Sequence, residues 1–340
     1  MRVGVTGCGY WGSKHVRVLH GISEVKQVVL IDPDPGRREA LHKVFPGTVG
    51  YSWFAEAVDE VDAVVLATPP TSHASVGLEI LRAGKHLLVE KPLAMSSAEG
   101  ESLLAAAEDA GVVLMAGHTF EYNSAVRRLR QFVAAGDLGD IYYLDSSRLN
   151  LGLYQSDVNV VWDLAPHDVS LANFLLDDLP TSVTAWGCRH ASGRFEDVAS
   201  IRLDYGNSGA VATIRVSWLD PCKVRRTTVV GSRKMAVYDD VDAEERIKLY
   251  DRGIIPPSES SVHEVPLQYR YGDVVAPYVD FKEPLLVEDQ HFVESAVAGN
   301  RPLSDGENGL AVVRIVEAAN QSIQTGQQVR LSTPAYLRAM

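Results

Sequence analysis

Through about residue 120, short apolar runs alternate with stretches of helical pattern. Arg2–Thr6 (RVGVT), Val25–Ile31 (VKQVVLI), Ala63–Ala67 (AVVLA), His86–Val89 and Val112–Ala116 are near-continuous apolar runs of strand length. Such runs read as strands buried on both faces. Between them lie Ser13–His20, Arg37–Val44, Thr71–Ala83 closed by Gly84, and Ser97–Ala110 closed by Gly111, with a short extended piece near Tyr51. This alternation predicts an α/β fold built on a doubly wound parallel sheet. Ligands of such sheets bind at the carboxyl ends of the strands.

The pattern changes beyond residue 120. Ala125–Ala135 and Leu164–Leu176 read as helices, and Ile141–Asn150 as extended. Val183–Trp186, Ala199–Asp204, Ala210–Trp218, Arg225–Val230 and Met235–Tyr238 are strand-like runs with no helix between them. Turn signals at Gly206-Asn207 and Gly231-Ser232 make the expected sheet antiparallel. The polar segment 251–284 reads as loop, and Leu285–Ala298 and Glu307–Thr325 as closing helices. The expected division is therefore a dinucleotide-binding domain at 1–120 and an α+β domain at 121–340 with a largely antiparallel open sheet. No internal repeat or low-complexity segment interrupts it.

Composition narrows the function classes. The 340 residues are 46% apolar and 22% charged, which is ordinary globular composition. A net charge of −12 argues against nucleic acid and anionic membrane as partners. Cys8, Cys188 and Cys222 form no C-x-x-C pair, so neither a disulfide framework nor a zinc site is expected. The ten histidines contain no H-x-x-x-H, and no metal is expected. The first strand starts at residue 2 and no apolar run approaches ~20 residues, so a cytoplasmic protein is expected.

The first strand runs directly into Gly7-Cys8-Gly9-Tyr10-Trp11-Gly12 and then a helix, the context in which G-x-G-x-x-G binds a dinucleotide. Gly7 permits the tight turn and Gly9 lets the backbone approach a pyrophosphate. Gly12 lets the helix pack on the strand, with its N-terminus toward the phosphates. Asp32, twenty residues beyond Gly12, ends the second strand. Its carboxylate suits the ribose hydroxyls of NAD and disfavours a 2′-phosphate, although Arg37 and Arg38 keep NADP an alternative.

Three further stretches carry chemistry. Thr68-Pro69-Pro70-Thr71-Ser72-His73 follows a strand, either as a capped turn or as a wall over the cofactor. Glu90-Lys91-Pro92 ends the next strand, where a lysine straight after a buried run stands at the cofactor crevice. Trp162-Asp163-Leu164-Ala165-Pro166-His167-Asp168 is expected to place Pro166 in a first helical turn, His167 near the positive helix end and Asp163 just outside. Taken alone, Asp163 and His167 read by default as an N-cap and a core histidine, with a neutral His167 able to take a proton as the functional alternative, and Asp168 reads as a complement to the helix dipole.

Together these residues resemble the glucose–fructose oxidoreductase / inositol dehydrogenase / rhizopine-catabolism (Gfo/Idh/MocA) family. The resemblance rests on the Gly7–Gly12 loop, Ala67-Thr68-Pro69 with His73, Glu90-Lys91-Pro92, Asp163 with His167, and Asp305-Gly306-Glu307-Asn308-Gly309-Leu310. It implies a Rossmann domain followed by an α+β domain whose open sheet builds homodimers or homotetramers. It further implies cofactor contacts from Gly7, Gly9, Tyr10, Trp11, Gly12, Asp32, Thr68, Pro69, His73, Glu90 and Lys91. Lys91, Asp163 and His167 are the implied catalytic set, with His167 as general base toward a secondary alcohol and Lys91 as the alternative base. Gly117-His118-Thr119-Phe120-Glu121-Tyr122-Asn123 is similar to members of nucleotide-sugar and antibiotic-sugar pathways, UDP-N-acetylglucosamine 3-dehydrogenase-like proteins among them. His118, Tyr122 and Asn123 are accordingly expected at the substrate; Arg148, Asn150 and Tyr154, on the approach to Asp163, read equally as contacts to the sugar or its phosphates and as ordinary strand-edge polar residues. Inositol or free-sugar oxidation, NAD-recycling glycoside cleavage and a non-catalytic NAD-binding role are the competing readings.

Overall fold

A computed structural model describes residues 1–152, 154–155, 157–191, 193–255 and 268–331. Its helices are α1 (Tyr10–Leu19), α2 (Pro35–Val44), α3 (Phe54–Ala57), α4 (His73–Arg82), α5 (Ser97–Ala110), α6 (Ser124–Ala134), α7 (Val160–Leu176), α8 (Pro284–Ala298) and α9 (Gly306–Thr325). Two compact units form. One comprises Met1–Asn123 with Lys282–Glu317, and the other Ser124–Phe281 with Ala318–Met340.

The first unit is built on β1 (Arg2–Thr6), β2 (Gln27–Ile31), β3 (Val49–Tyr51), β4 (Ala63–Leu66), β5 (His86–Glu90) and β6 (Leu114–Gly117). Among the described residues these form one parallel sheet in the order β3-β2-β1-β4-β5-β6. Val3, Val5, Val29, Val64, Val65, Leu87, Leu88 and Val89 are 0% exposed, so the central strands are covered on both faces as their unbroken apolar runs require. The strand order reverses between β1 and β4. There Ala67 N–H donates to Thr6 O at 2.8 Å and Gly7 N–H to Ile31 O at 2.8 Å, which holds the exits of β1, β2 and β4 together. Ser96 caps α5 through Glu99 N–H, and Gly111 at φ +63° ends it.

One boundary needs correction. The division at 120/121 put α8 with the second domain, whereas residues 282–317 belong to the first unit. The cause is packing: Leu285, Phe292 and Val293 of α8 share a core with Val16, Val18 and Leu19 of α1. A helical period in the sequence reveals that α8 has an apolar face but not which partner covers it.

The second unit carries β7 (Ile141–Leu151), β8 (Ser182–Cys188), β9 (Val198–Asp204), β10 (Val211–Ser217), β11 (Leu219–Gly231), β12 (Met235–Asp239), β13 (Ile247–Ile255), β14 (Gln268–Val275) and β15 (Val329–Arg330). Their order is β14-β13-β12-β11-β7-β10-β9-β8-β15, antiparallel throughout except for the parallel pair β7–β10. The loop expected over 251–284 is corrected here as well. Arg252–Ile255 pair with Gln268–Tyr271, while 256–267 lie outside the described residues. Every side chain of β14 is exposed or half-buried, so backbone pairing rather than an alternating apolar face makes it a strand.

Helix α7 begins four residues earlier than expected. Asn159 caps it, accepting Trp162 N–H at 3.1 Å, and Pro166 therefore lies inside the helix. Asp163 sits in the first turn and His167 one turn further on. Asp168 is more than a dipole complement: Arg148 Nε donates to its Oδ2 at 2.6 Å, and the Ser146 hydroxyl to its Oδ1 at 2.7 Å. Ser146 and Arg148 are two residues apart on β7 and so face the same way, pinning α7 to the sheet. Both partners of the ion pair are buried, at 6% and 2% exposure. Arg148→Met should therefore strand the Asp168 carboxylate and cost about 3–5 kcal/mol, read as a lowered denaturant midpoint.

Candidate functional site

The glycine loop is shaped by contacts that exclude side chains. A Cβ on Gly12 would lie 1.8 Å from Gly7 O, and one on Gly7, at φ +90°, would lie 2.7 Å from Ala67 O. A Cβ on Gly9 would meet nothing within 4 Å. Gly12 thus serves the packing of α1 on the turn after β1, and Gly7 the approach of that turn to the exit of β4, while Gly9 borders open space. Helix α1 starts at Tyr10, earlier than the Ser13 expected, and Ser13 N–H on Gly9 O at 3.0 Å opens its hydrogen-bond ladder. The N–H groups of Tyr10, Trp11 and Gly12 precede that ladder, at the positive helix end. Tyr10 and Trp11 are exposed, with Lys14 Nζ 4.5 Å from the Tyr10 ring centroid.

Asp32, 3% exposed, is aimed at the same loop. Its Oδ2 accepts Cys8 N–H at 2.7 Å and its Oδ1 accepts Asp34 N–H at 2.9 Å. Each oxygen keeps a further lone pair for a ribose hydroxyl. Arg37 NH1 stands 3.5 Å from Oδ2, so the carboxylate and an arginine occupy one corner. Burial, then the Asp32 charge, pushes the Cys8 thiol up to about 12, which makes it filler rather than nucleophile. Open space at Gly9, a free helix start and an oriented Asp32 fit a dinucleotide.

At the exits of β4 and β5 the expectations divide. Thr68 is half-buried and Pro69 exposed, and the Ser72 hydroxyl donates to Thr68 Oγ1 at 2.7 Å. His73 was expected at the cofactor, but it is fully buried between backbone carbonyls, with Nδ1 2.7 Å from Pro92 O and Nε2 2.9 Å from Thr68 O. It lies between the two loops rather than at a ligand; burial lowers its pKa, and the neutral ring donates to one of these two carbonyls at a time. Glu90 is likewise turned inward, with Oε1 3.0 Å from His15 Nε2 and Oε2 accepting Lys91 N–H at 3.1 Å. Lys91 itself is half-buried, and the Lys91–Pro92 peptide is cis.

Of the expected substrate residues on the first unit, Tyr122 is corrected. It is 0% exposed, its hydroxyl pairs with Ser304 Oγ at 3.0 Å, and its ring lies against His291. Burial pushes its phenol well up, so it is a core residue. His118 and Asn123 are also buried. Both ring nitrogens of His118 make no hydrogen bond among the described residues, and burial pushes its pKa down to about 4.

On the second unit, Asp163 and His167 lie four residues apart on one half-buried face of α7. Trp218 Nε1–H donates to Asp163 Oδ2 at 3.0 Å, and Tyr154 stacks at a tilt on that indole, centroids 5.1 Å apart. Trp218 is 1% exposed, so it fixes the carboxylate from beneath. Sequence reasoning read Trp218 only as the end of a strand, since nothing local links it to Asp163. Arg148 is corrected from substrate contact to structural cation, because Asp168 holds its guanidinium. Asn150 is half-buried at the end of β7.

A parallel sheet with this glycine loop at its switch point, followed by an α+β unit presenting an Asp/His face, defines the class: a dinucleotide-dependent oxidoreductase of two units. The chain belongs to the Gfo/Idh/MocA family. Residues 1–118 match its oxidoreductase model with NAD-binding Rossmann fold, and 126–237 its C-terminal domain. UDP-N-acetylglucosamine 3-dehydrogenase of Acidithiobacillus ferrooxidans is 28% identical over 343 aligned positions, 99% of each chain. Inositol 2-dehydrogenase of Rhizobium meliloti is 23% identical, covering 98% of this chain and 99% of its own. Among solved structures, GenD2 from gentamicin A biosynthesis, in complex with NAD, superposes with a TM-score of 0.83 at 25% identity. That match covers 98% of this chain and 97% of the other. Among the described residues no helix is long and apolar enough to cross a membrane.

The two kinds of glycine should separate by mutation. Gly9→Ala is expected to keep the melting temperature of the wild type while weakening NAD at least ~10-fold, followed by tryptophan fluorescence. Gly12→Ala should lower the melting temperature and abolish NAD binding together.

Proposed function

We propose that this protein oxidises a secondary hydroxyl of a sugar, with NAD as hydride acceptor and a nucleotide sugar as the favoured substrate class. The observation that carries this reading is the Asp163–His167 face with its carboxylate pinned by Trp218, in a chain of this family that retains Lys91. NAD, when bound, supplies the electrophilic carbon that receives the hydride. Lys91 donates a hydrogen bond to the substrate hydroxyl oxygen, and Asp163 accepts from a neighbouring hydroxyl and orients the ring. His167 takes the hydroxyl proton as the carbon-bound hydrogen leaves with its electron pair. The 28% identity to a UDP-N-acetylglucosamine 3-dehydrogenase, and the 26% identity and TM-score of 0.79 to its solved structure, favour a nucleotide sugar. Full-length similarity to inositol dehydrogenases supports a second reading, a free polyol. Assembly as a homodimer or homotetramer belongs to the same proposal, supported by exposed Tyr142, Tyr143 and Trp186 on strands of the second sheet.

Absorbance at 340 nm, with NAD or NADP and panels of nucleotide sugars, free sugars and inositols, tests this directly. One substrate class should raise it, and Lys91→Ala and His167→Ala should each cut kcat/KM by ~10²-fold or more. Trp218→Phe keeps the ring but removes the donor, and should lower kcat by ~10-fold at nearly unchanged NAD affinity. Release of NADH only on denaturation would favour the NAD-recycling glycosidase instead. No absorbance change and no released NADH would sink catalysis altogether.

A further inference from the structure

The first unit contains a buried ionic cluster that the proposed chemistry does not use. His15, on the inner face of α1 three residues after Gly12, is 0% exposed. Its Nδ1 lies 2.8 and 3.0 Å from the two oxygens of Asp289 on α8, and its Nε2 lies 3.0 Å from Glu90 Oε1 at the end of β5. Both ring nitrogens face carboxylate oxygens, which only accept, so the ring serves both contacts only as a doubly protonated imidazolium. The other oxygen of Glu90 accepts the backbone N–H of Lys91 at 3.1 Å. A continuous line of charge-assisted bonds thus runs from α8 through α1 to the lysine at the strand exit.

We propose that His15 is a positioning residue: an imidazolium clamped between Asp289 and Glu90 that fixes Glu90 and, through it, the Lys91 backbone relative to the glycine-loop helix. This rests on Lys91 being the lysine of the reaction. The clamp makes geometric sense because α1 carries the loop expected at the cofactor and β5 carries Lys91. One cation bonded to both sides leaves little freedom for the cofactor loop to move without the lysine.

Burial alone would strip the proton from His15, but the Asp289 charge and the hydrogen bonds to Asp289 and Glu90 outweigh it and raise its pKa. Burial pushes the Asp289 carboxyl up, against the opposing pull of the His15 charge and hydrogen bond. Also on α8, burial and the Glu90 and Asp289 charges push the Glu288 carboxyl well above the usual carboxylate range, its Oε2 accepting from Thr119 Oγ1 at 2.9 Å. From β5, Glu90 is kept ionised by His15 against its burial, with Lys91 adding to the effect. His118, beside Glu90 and Lys91, is neutral, and Arg17 pairs with Glu283 at the start of α8. The carboxyl groups of Asp289 and Glu90 thus flank one ring from its two sides.

Two measurements test the clamp, one of them independent of substrate. In full-length protein labelled at histidine and saturated with NAD, NMR should show one doubly protonated ring from pH 6 to about pH 8, above an ordinary histidine pKa. His15→Gln should remove that signal. In Asp289→Asn the same ring loses its main counter-charge, so burial wins and it should release its proton near or below neutrality. With the substrate found at 340 nm, Asp289→Asn should then show kcat falling as pH rises through that titration, by ~10-fold or more, while KM and NAD affinity hold. The wild type should lack this limb. A singly protonated, titrating His15 in the wild type, or an Asp289→Asn profile of wild-type shape, would overturn the proposal. If no substrate is turned over by the wild type, the dehydrogenase reading fails, and the histidine spectra still decide the clamp. Should His15→Gln not fold, loss of the signal's persistence in Asp289→Asn serves as the assignment.

Discussion

Everything at the cofactor end of this protein depends on how closely α1 approaches the turn that precedes it. With a Cβ on Gly12 placed 1.8 Å from Gly7 O, the helix lies against the turn with room for hydrogen alone. That approach fixes where the N–H groups of the first helical turn point. It also brings Cys8 N–H onto Asp32, and so fixes a carboxylate on the second strand relative to the loop on the first. Gly9, bordering open space, is the one glycine of the three that the fold itself does not require. Its value lies in what approaches it.

Each unit then ties a helix to a sheet with a buried charge network. In the first, His15 joins α1, the end of β5 and α8. In the second, Arg148 on β7 holds Asp168 on α7, with Ser146 and Thr227 completing the set. Buried ions add little net stability over apolar residues of the same size, but they penalise any arrangement that separates the partners. Both networks sit directly behind a residue of the proposed chemistry. Glu90 precedes Lys91, and Asp168 follows His167. Specific placement, more than stability, is what such networks contribute here. Trp218 does the same for Asp163 with a single indole N–H.

Much of the site was legible because its signals are local. The glycine turn, its flanking strand and helix, and Asp32 all sit within one strand–helix–strand unit, so spacing alone identified them. Lys91 was singled out by its place at a strand end and the Asp163/His167 pair through the family resemblance, although the α7 start was missed because the Asn159 cap outweighs the breaking tendency of Pro166. Long-range partners left no such trace. Arg148 and Tyr122 carry side chains that suit a sugar site, yet their partners Asp168 and Ser304 stand 20 and 182 residues away. His73 and Glu90 lie in the right motifs but bond inward, to backbone carbonyls and to His15.

The alternation of strands and helices, the parallel first sheet, the glycine turn and the acidic strand end are written into the order of the residues. Those follow from periodicity and from backbone conformations that only certain residues adopt. Tertiary structure decided which apolar face covers which, and hence that α8 returns to the first unit. It decided that Tyr-rich β14 is a strand, and which polar side chains are spent inside the protein. Burial and hydrogen bonding between distant residues depend on the closed three-dimensional arrangement. No local pattern encodes whether a carboxylate such as Glu90 meets a ligand or a histidine seventy-five residues away.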